Sequence, residues 1–283
     1  MRAAAAASAA DRSERSRRLS AFWSRIVVAV ILLPAVLGLV WLGGWWLVVL
    51  GAVAGLIALH EYFGMIRELR PVALAGFAGF ALALLGVQLG GVVWMLGGFL
   101  ATLALAFGLF LVSRTRTSAT VAVGSTVLGT GWIGLGLGHL ILLRGLPTHG
   151  QLAAFTVIIA VFAADTAAYF TGRLVGRHRM APTLSPGKTW EGFVAGTATA
   201  VFVAFVALYR TGFVDGWRSI ALGFVIALTA ALGDLFESAL KRDMHVKDSG
   251  RLLAGHGGML DRIDALLFAA PAVWFLLAAF HQT

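Results

Sequence analysis

Cysteine is absent from the 283 residues. That excludes disulfides, thiolate nucleophiles and cysteine-ligated metal centres, and it leaves the redox compartment open. Charge is scarce as well. Only 12% of the residues are charged, against roughly 25% in soluble domains. Hydrophobic residues make up 59% and the mean hydropathy is +0.89. Apolar runs of about 20 residues in so uncharged a chain point to a polytopic, all-α membrane protein. The runs are continuous rather than alternating, which argues against a transmembrane β-barrel. No soluble basic domain stands apart from the apolar runs. The net charge of +9 therefore suits an anionic membrane leaflet rather than nucleic acid. Paired broken helices in two halves, the mark of many transporters, are also missing.

Residues 1–25 lack a short apolar core directly after the first charges, so they do not read as a signal peptide. They read as a basic cytoplasmic tail, in which Arg12, Arg15, Arg17, Arg18 and Arg25 fix topology. Nine apolar segments follow, at roughly 26–42, 45–63, 71–89, 92–112, 119–143, 152–171, 191–209, 219–237 and 264–281. Gly43 and Gly44 alone separate the first two, which predicts a tight helical hairpin. The fifth is long and glycine-rich, open to a break or a tilt. With the N-terminus inside, 19 of the 22 Lys and Arg fall on the cytoplasmic side and only Arg144, Arg210 and Arg218 fall outside. Nine spans then put the C-terminus outside and the polar loops 172–190 and 238–263 in the cytoplasm. The expected organisation is a scaffold over 26–150, for packing or a homodimer face, and a catalytic region over 151–283. GxxxG spacings at Gly51/Gly55, Gly86/Gly90, Gly134/Gly138 and Gly192/Gly196 read chiefly as helix packing. His60 and Glu61, at the end of the second segment, read as an interfacial polar cap.

The charge that the chain does carry is concentrated. Six of its 13 acidic residues lie between Gly233 and Asp264: Asp234, Glu237, Asp243, Asp248, Asp261 and Asp264. Lys241, Arg242, Lys247, Arg251, Arg262, His245 and His256 accompany them. Asp234 closes one apolar segment and Asp261 precedes the next, so the two carboxylates can meet in space. Oxygen ligands without cysteine favour Mg²⁺, which usually arrives with substrate phosphates. The cations between them would neutralise phosphate charge during transfer. The glycines around His256 would let backbone approach a ligand. Earlier, Asp165 lies inside an apolar segment, where a carboxylate usually faces a polar cavity and has a function. A structural hydrogen bond to Thr166 or to a neighbouring helix is the other reading.

Between these regions stands Ser185-Pro186-Gly187-Lys188-Thr189-Trp190-Glu191-Gly192. A P-loop requires glycine five residues before the Gly-Lys pair, and that position is Pro182. The P-loop is rejected. A hydroxyl, a lysine and backbone N–H groups at a helix start still make a phosphate site. The residues together describe a membrane enzyme, dependent on Mg²⁺, that handles phosphates at the cytoplasmic face, with a lipid as its other substrate.

Two motifs add a resemblance. Ser238-x-x-Lys241-Arg242-x4-Lys247-Asp248-x-Gly250, then His256-Gly257-Gly258-x-x-Asp261-Arg262-x-Asp264, resembles the signature of phosphatidate cytidylyltransferases, the CDP-diacylglycerol synthases. Asp165-Thr166-x-Ala168-Tyr169 and the stretch from Ser185 to Gly192 are similar to that family too. The N-terminal half matches only in hydrophobic pattern. Gly187 stands where the family usually has another lysine, and Ala254 where proline or glycine is usual. The resemblance implies an inner-membrane enzyme making CDP-diacylglycerol and pyrophosphate from CTP and phosphatidate. It implies metal at Asp234 and Asp261, with a second cation left open. It implies catalytic roles for these two and for Lys241, Arg242, Lys247, Asp248 and His256. Substrate contacts would come from Asp165, Ser185, Lys188, Thr189, Glu191, Ser238, Arg262 and Asp264. Alternatives are a CTP-dependent polyprenol or phytol kinase and, from another class, an ion-coupled transporter using Asp165. A CDP-alcohol phosphotransferase ranks lower, because only Asp261 and Asp264 echo its pattern.

Overall fold

The computed structural model describes residues 33–113, 118–246, 249–250 and 257–280. The basic tail, Lys247, Asp248, Ala254 and His256 lie outside the described residues. Among the described residues there are eight α-helices: α1 (Leu33–Leu42), α2 (Gly44–Met65), α3 (Ala73–Val112), α4 (Ala119–Arg144), α5 (Gly150–Val175), α6 (Trp190–Leu208), α7 (Gly216–Asp243) and α8 (Leu260–Ala279). Seven of them, α2 to α8, are long and apolar enough to cross a membrane. Among the described residues the only sheet is a two-stranded antiparallel hairpin, β1 (Arg179–Ala181) with β2 (Ser185–Thr189). It lies within the loop that composition marked as polar.

The 40-residue α3 is not one rod. Gly90 and Gly91 leave helical geometry, and Gly91 has φ +67°, a conformation other residues rarely adopt. The chain folds back there, and Gly98 lies against the backbone of Ala83. This matches the two separate apolar segments read over 71–89 and 92–112. The α1–α2 junction behaves similarly, with φ of 66° at Gly43 and 52° at Gly44.

α4 is the axis of the molecule. It packs on α2, α3, α5 and α8, and 78% of its apolar window is buried, the largest share of any of the seven. It is continuous from Ala119 to Arg144, so the break that its glycines left open does not occur. Its glycines seat the side chains of Tyr62, Phe99, Met95 and Leu267, so they serve close packing rather than bending. Gly51 and Gly55 lie against Leu84 and Phe80, and Gly192 and Gly196 against Ala168 and Ala164. All four GxxxG pairs are thus occupied within the chain. Outward faces carry exposed Leu, Val, Phe and Trp side chains such as Trp94, Leu111, Phe202 and Phe224, as a lipid-facing surface requires.

Long-range contacts sort the helix ends onto two sides. Arg144, closing α4, donates from Nε to Val40 O (2.9 Å) and from a terminal nitrogen to Trp41 O (2.6 Å), at the end of α1. His149, before α5, stacks on Phe213, before α7, with ring centroids 4.8 Å apart. On the other side the end of α2 meets the start of α8 through a Glu61–Leu260 hydrogen bond. The polar motifs gather on that second side.

Candidate active site

α7 carries Asp234, Ser238, Lys241 and Arg242 of the residues the sequence singles out. The sequence suggests an apolar segment over roughly 219–237 that Asp234 closes, but the helix continues to Asp243. The extra turns consist of good helix formers and are braced by an i,i+4 pair, Glu237–Lys241, at 2.9 Å. Ser238, Lys241 and Arg242 are therefore helical rather than part of a loop, and Asp234 stands inside the helix. Its neighbour Gly233 faces the main-chain oxygen of Asp264 so closely that a β-carbon would collide. This contact draws α7 onto α8. Behind it, Trp132 of α4 meets Phe236 edge-on at 4.9 Å, an aromatic contact worth about 1 kcal/mol beyond its buried area.

α8 begins at Leu260 and puts Asp261 on its first turn. Asp261 Oδ2 accepts a hydrogen bond from Gly258 N at 2.8 Å, satisfying a donor ahead of the helix in the manner of a capping box. Its other oxygen, Oδ1, lies 2.8 Å from Lys241 Nζ. Lys241 thus bridges Glu237 and Asp261 and ties α7 to α8. A second lysine does the same between other elements. Lys188 Nζ, on β2, lies 2.6 Å from Asp234 Oδ2 and 3.5 Å from Ala231 O.

The hairpin that delivers Lys188 is held at both ends. Thr189 is the N-cap of α6 and accepts from Gly192 N at 3.1 Å. Trp190 N donates to His178 O at 2.9 Å. Glu191 accepts from His178 N at 3.2 Å, and its Oε1 lies 2.6 Å from His178 Nδ1. From the α7 side, Arg242 Nε donates to Leu184 O at 3.2 Å.

These elements enclose one cavity of about 960 Å³, at the upper end of the range for small-molecule sites. Of the residues the sequence singles out, Asp165, Ser185, Lys188, Thr189, Asp234, Lys241, Asp261, Arg262 and Asp264 all line it. Asp165 sits within electrostatic reach of Asp234 and Lys188, and Thr166 turns its hydroxyl to Phe162 O at 2.7 Å instead. Glu191, Ser238 and Arg242 are not in the lining; the first and third support the hairpin.

Other lining residues were not singled out. Glu237 contributes to the wall, with Oε1 buried and without a hydrogen-bond partner among the described residues. Tyr169, Arg173 and Arg179 also line the cavity. Glu61 stands behind it. The sequence suggests an interfacial cap, yet Glu61 is buried, accepts from Leu260 N at 2.9 Å and from Ser249 Oγ at 3.5 Å, and so caps α8 from another helix.

The lining holds five carboxylates (Asp165, Asp234, Glu237, Asp261 and Asp264) and five cations (Arg173, Arg179, Lys188, Lys241 and Arg262). Oxygen is the only hard donor present in number, which fits Mg²⁺ rather than a softer metal. Among the described residues no three His, Asp or Glu converge tightly enough to hold an ion alone. Such a wall suits a cation completed by water and substrate phosphates.

The pattern described as the cytidylyltransferase family matches residues 23–280. The chain belongs to this family. It is 37% identical to the phosphatidate cytidylyltransferase of Mycobacterium bovis, over 80% of this chain and 78% of that one. It is 33% identical to the protein of that name from Staphylococcus haemolyticus, over 89% and 98% of the two chains. The one from Brucella suis is also 33% identical, over 93% and 96%. The match covers α1 to α8, so the scaffold helices belong to the family as much as the cavity does.

Proposed function

We propose that this membrane protein transfers the cytidylyl group of CTP to phosphatidate, giving CDP-diacylglycerol and pyrophosphate in phospholipid biosynthesis. The observation that carries this is one cavity, at the ends of membrane helices, whose wall combines five carboxylates with five lysine and arginine side chains. A phosphatidate oxygen attacks the α-phosphorus of CTP. The new P–O bond forms as the bond to the β-phosphate oxygen breaks, and pyrophosphate leaves. The attacking oxygen is already anionic, so no covalent enzyme nucleophile is required. What remains for the protein is to align two polyanions and stabilise charge on the α-phosphate and the leaving group.

Lys188 and Lys241 are the residues best situated to take the nucleotide phosphates, assisted by Ser185 and Arg262, while Arg242 supports the hairpin that carries Lys188. Lys247, Asp248 and His256 complete the set by family resemblance. Asp234 and Asp261 would hold Mg²⁺, which lowers the negative charge of the triphosphate when bound. The balance of five negative and five positive lining groups supports a metal. A wall with no formal charge excess cannot by itself offset a triphosphate and a phosphomonoester.

We read the membrane arrangement as nine spans, counting α1 and both arms of α3, with the N-terminus and the cavity on the cytoplasmic side of the cell membrane. The concentration of Lys and Arg on that side supports this. Purified protein with Mg²⁺ and labelled CTP should convert phosphatidate to CDP-diacylglycerol, and chelation of divalent cations should abolish the conversion. A polyprenol or phytol acceptor offered in parallel decides against the proposal if it alone becomes phosphorylated. Ion flux in liposomes without CTP would point to the transporter reading.

A further inference from the structure

The five lining cations are not equivalent. Lys188 is paired with Asp234, and Lys241 with both Glu237 and Asp261. Each lysine charge is already met by carboxylate. Arg173 and Arg179 differ. Arg173 donates one N–H to Tyr169 Oη at 2.9 Å, and neither arginine has an ion pair among the described residues. Both side chains are exposed and both line the cavity. A guanidinium offers five donors in a planar fork, so four remain on Arg173 for a ligand.

Their surroundings differ too. Arg173 lies in the last turn of α5. A helix-dipole role would account for a cation there, but not for one that faces the cavity. Immediately around it on α5, Phe170 is 57% and Leu174 80% exposed, and Tyr169, which lines the cavity, is 58% exposed. An apolar outer surface therefore runs directly up to the Arg173 guanidinium, while Arg179, on β1, lines the same cavity. Lys188, Lys241 and four of the five lining carboxylates belong instead to β2, α7 and α8, and the fifth, Asp165, lies about two turns earlier on α5.

We propose that Arg173 and Arg179 form the seat of the lipid substrate's phosphomonoester, separate from the lysine–carboxylate wall that receives the nucleotide phosphates. The inference rests on the cytidylyltransferase reading above. A phosphomonoester presents several oxygens to a planar fork, a geometry arginine matches better than lysine. The acyl chains extend from this seat along the exposed Phe170–Leu174 surface of α5 into the bilayer, while the tyrosine hydroxyl fixes the Arg173 side chain.

The test uses the full chain in mixed micelles, with phosphatidate and CTP varied separately. Arg173→Ala and Arg179→Ala should each raise the KM for phosphatidate about tenfold, the loss expected for a hydrogen bond to a charged group. The KM for CTP should stay within about twofold of the parent value, because uniform binding is lost for one substrate only. Arg173→Lys should recover part of the loss. Thermal stabilisation by dihexanoyl phosphatidate without CTP should shrink in both alanine variants, while stabilisation by CTP with Mg²⁺ persists. That second measurement is independent of turnover and also reports folding. A rise in the KM for CTP with an unchanged lipid KM would overturn the assignment, as would no change in either. Equal stabilisation by glycerol 3-phosphate would remove the lipid part of the claim. If the parent protein used no phosphatidate at all, the proposed function would fail first, and that result is separately visible.

Discussion

The two halves of this chain are built from the same kind of helix and differ mainly in where carboxylates are allowed. From residue 33 to residue 149 there are only two acidic residues, Glu61 and Glu68. From 150 onward there are nine, and five of them line one cavity. The first half spends its glycines and aromatics on close packing around α4; the second uses the same packing to hold charges against one another. A carboxylate at membrane depth is costly unless it is partnered or functional, so its distribution separates scaffold from site. Glu61 is the exception that joins them. It belongs to the scaffold by sequence and to the site by contact, since it caps the helix that carries Asp261.

Substitutions at three positions would break or sharpen this contrast. Asp261→Ala removes a carboxylate that engages both Lys241 and the Gly258 N–H. Turnover of CTP and phosphatidate should fall by about 10²–10³ or more, the range seen when one preorganised electrostatic group is lost. Retained activity in this variant would sink the site assignment. Glu61→Ala should have an intermediate effect, lowering kcat by about 10–100-fold, as for residues that position a ligating group. Glu61→Gln keeps an acceptor for Leu260 N and should restore most of it; an equal loss in both variants would mean that the negative charge, not the hydrogen bond, matters. The smallest catalytic effect should come from the scaffold. Ile133 is fully buried on α4, and Ile133→Ala should lower stability by about 2–5 kcal/mol. It should leave both KM values unchanged in the protein that survives, as checked by thermal unfolding alongside kinetics.

Much of this contrast is legible in the sequence. The charged stretch from Gly233 to Asp264 stands out by composition, and Asp165 by its apolar context. The fold-back at Gly90–Gly91 follows from two apolar runs meeting at a glycine pair. What periodicity does not carry is partnership across the chain. That Lys188 meets Asp234, 46 positions away, and Lys241 meets Asp261 depends on which helix ends the packing of α4 brings together. The extension of α7 to Asp243 was hidden because charge reads as loop, although Glu237 and Lys241 are spaced for one helical face. The β-hairpin around Ser185 was hidden in the same way: five residues rich in Ser, Pro, Gly, Lys and Thr carry no alternation. Arg173 and Arg179 look like ordinary positive-inside residues until the cavity they face is drawn.

The hydrogen bond from Leu260 to Glu61 spans 199 positions. During synthesis, Glu61 enters the bilayer long before its partner exists. Until α8 is made, the growing chain carries a carboxylate near a helix end without the N–H that satisfies it in the finished bundle. The last helix therefore has a polar reason to dock as well as an apolar one. Its arrival caps Glu61 and delivers Asp261 to Lys241 in the same event. A chain that stops short of α8 would contain most of the scaffold but would lack Asp261, Arg262 and Asp264 from the cavity wall and leave Lys241 with Glu237 alone.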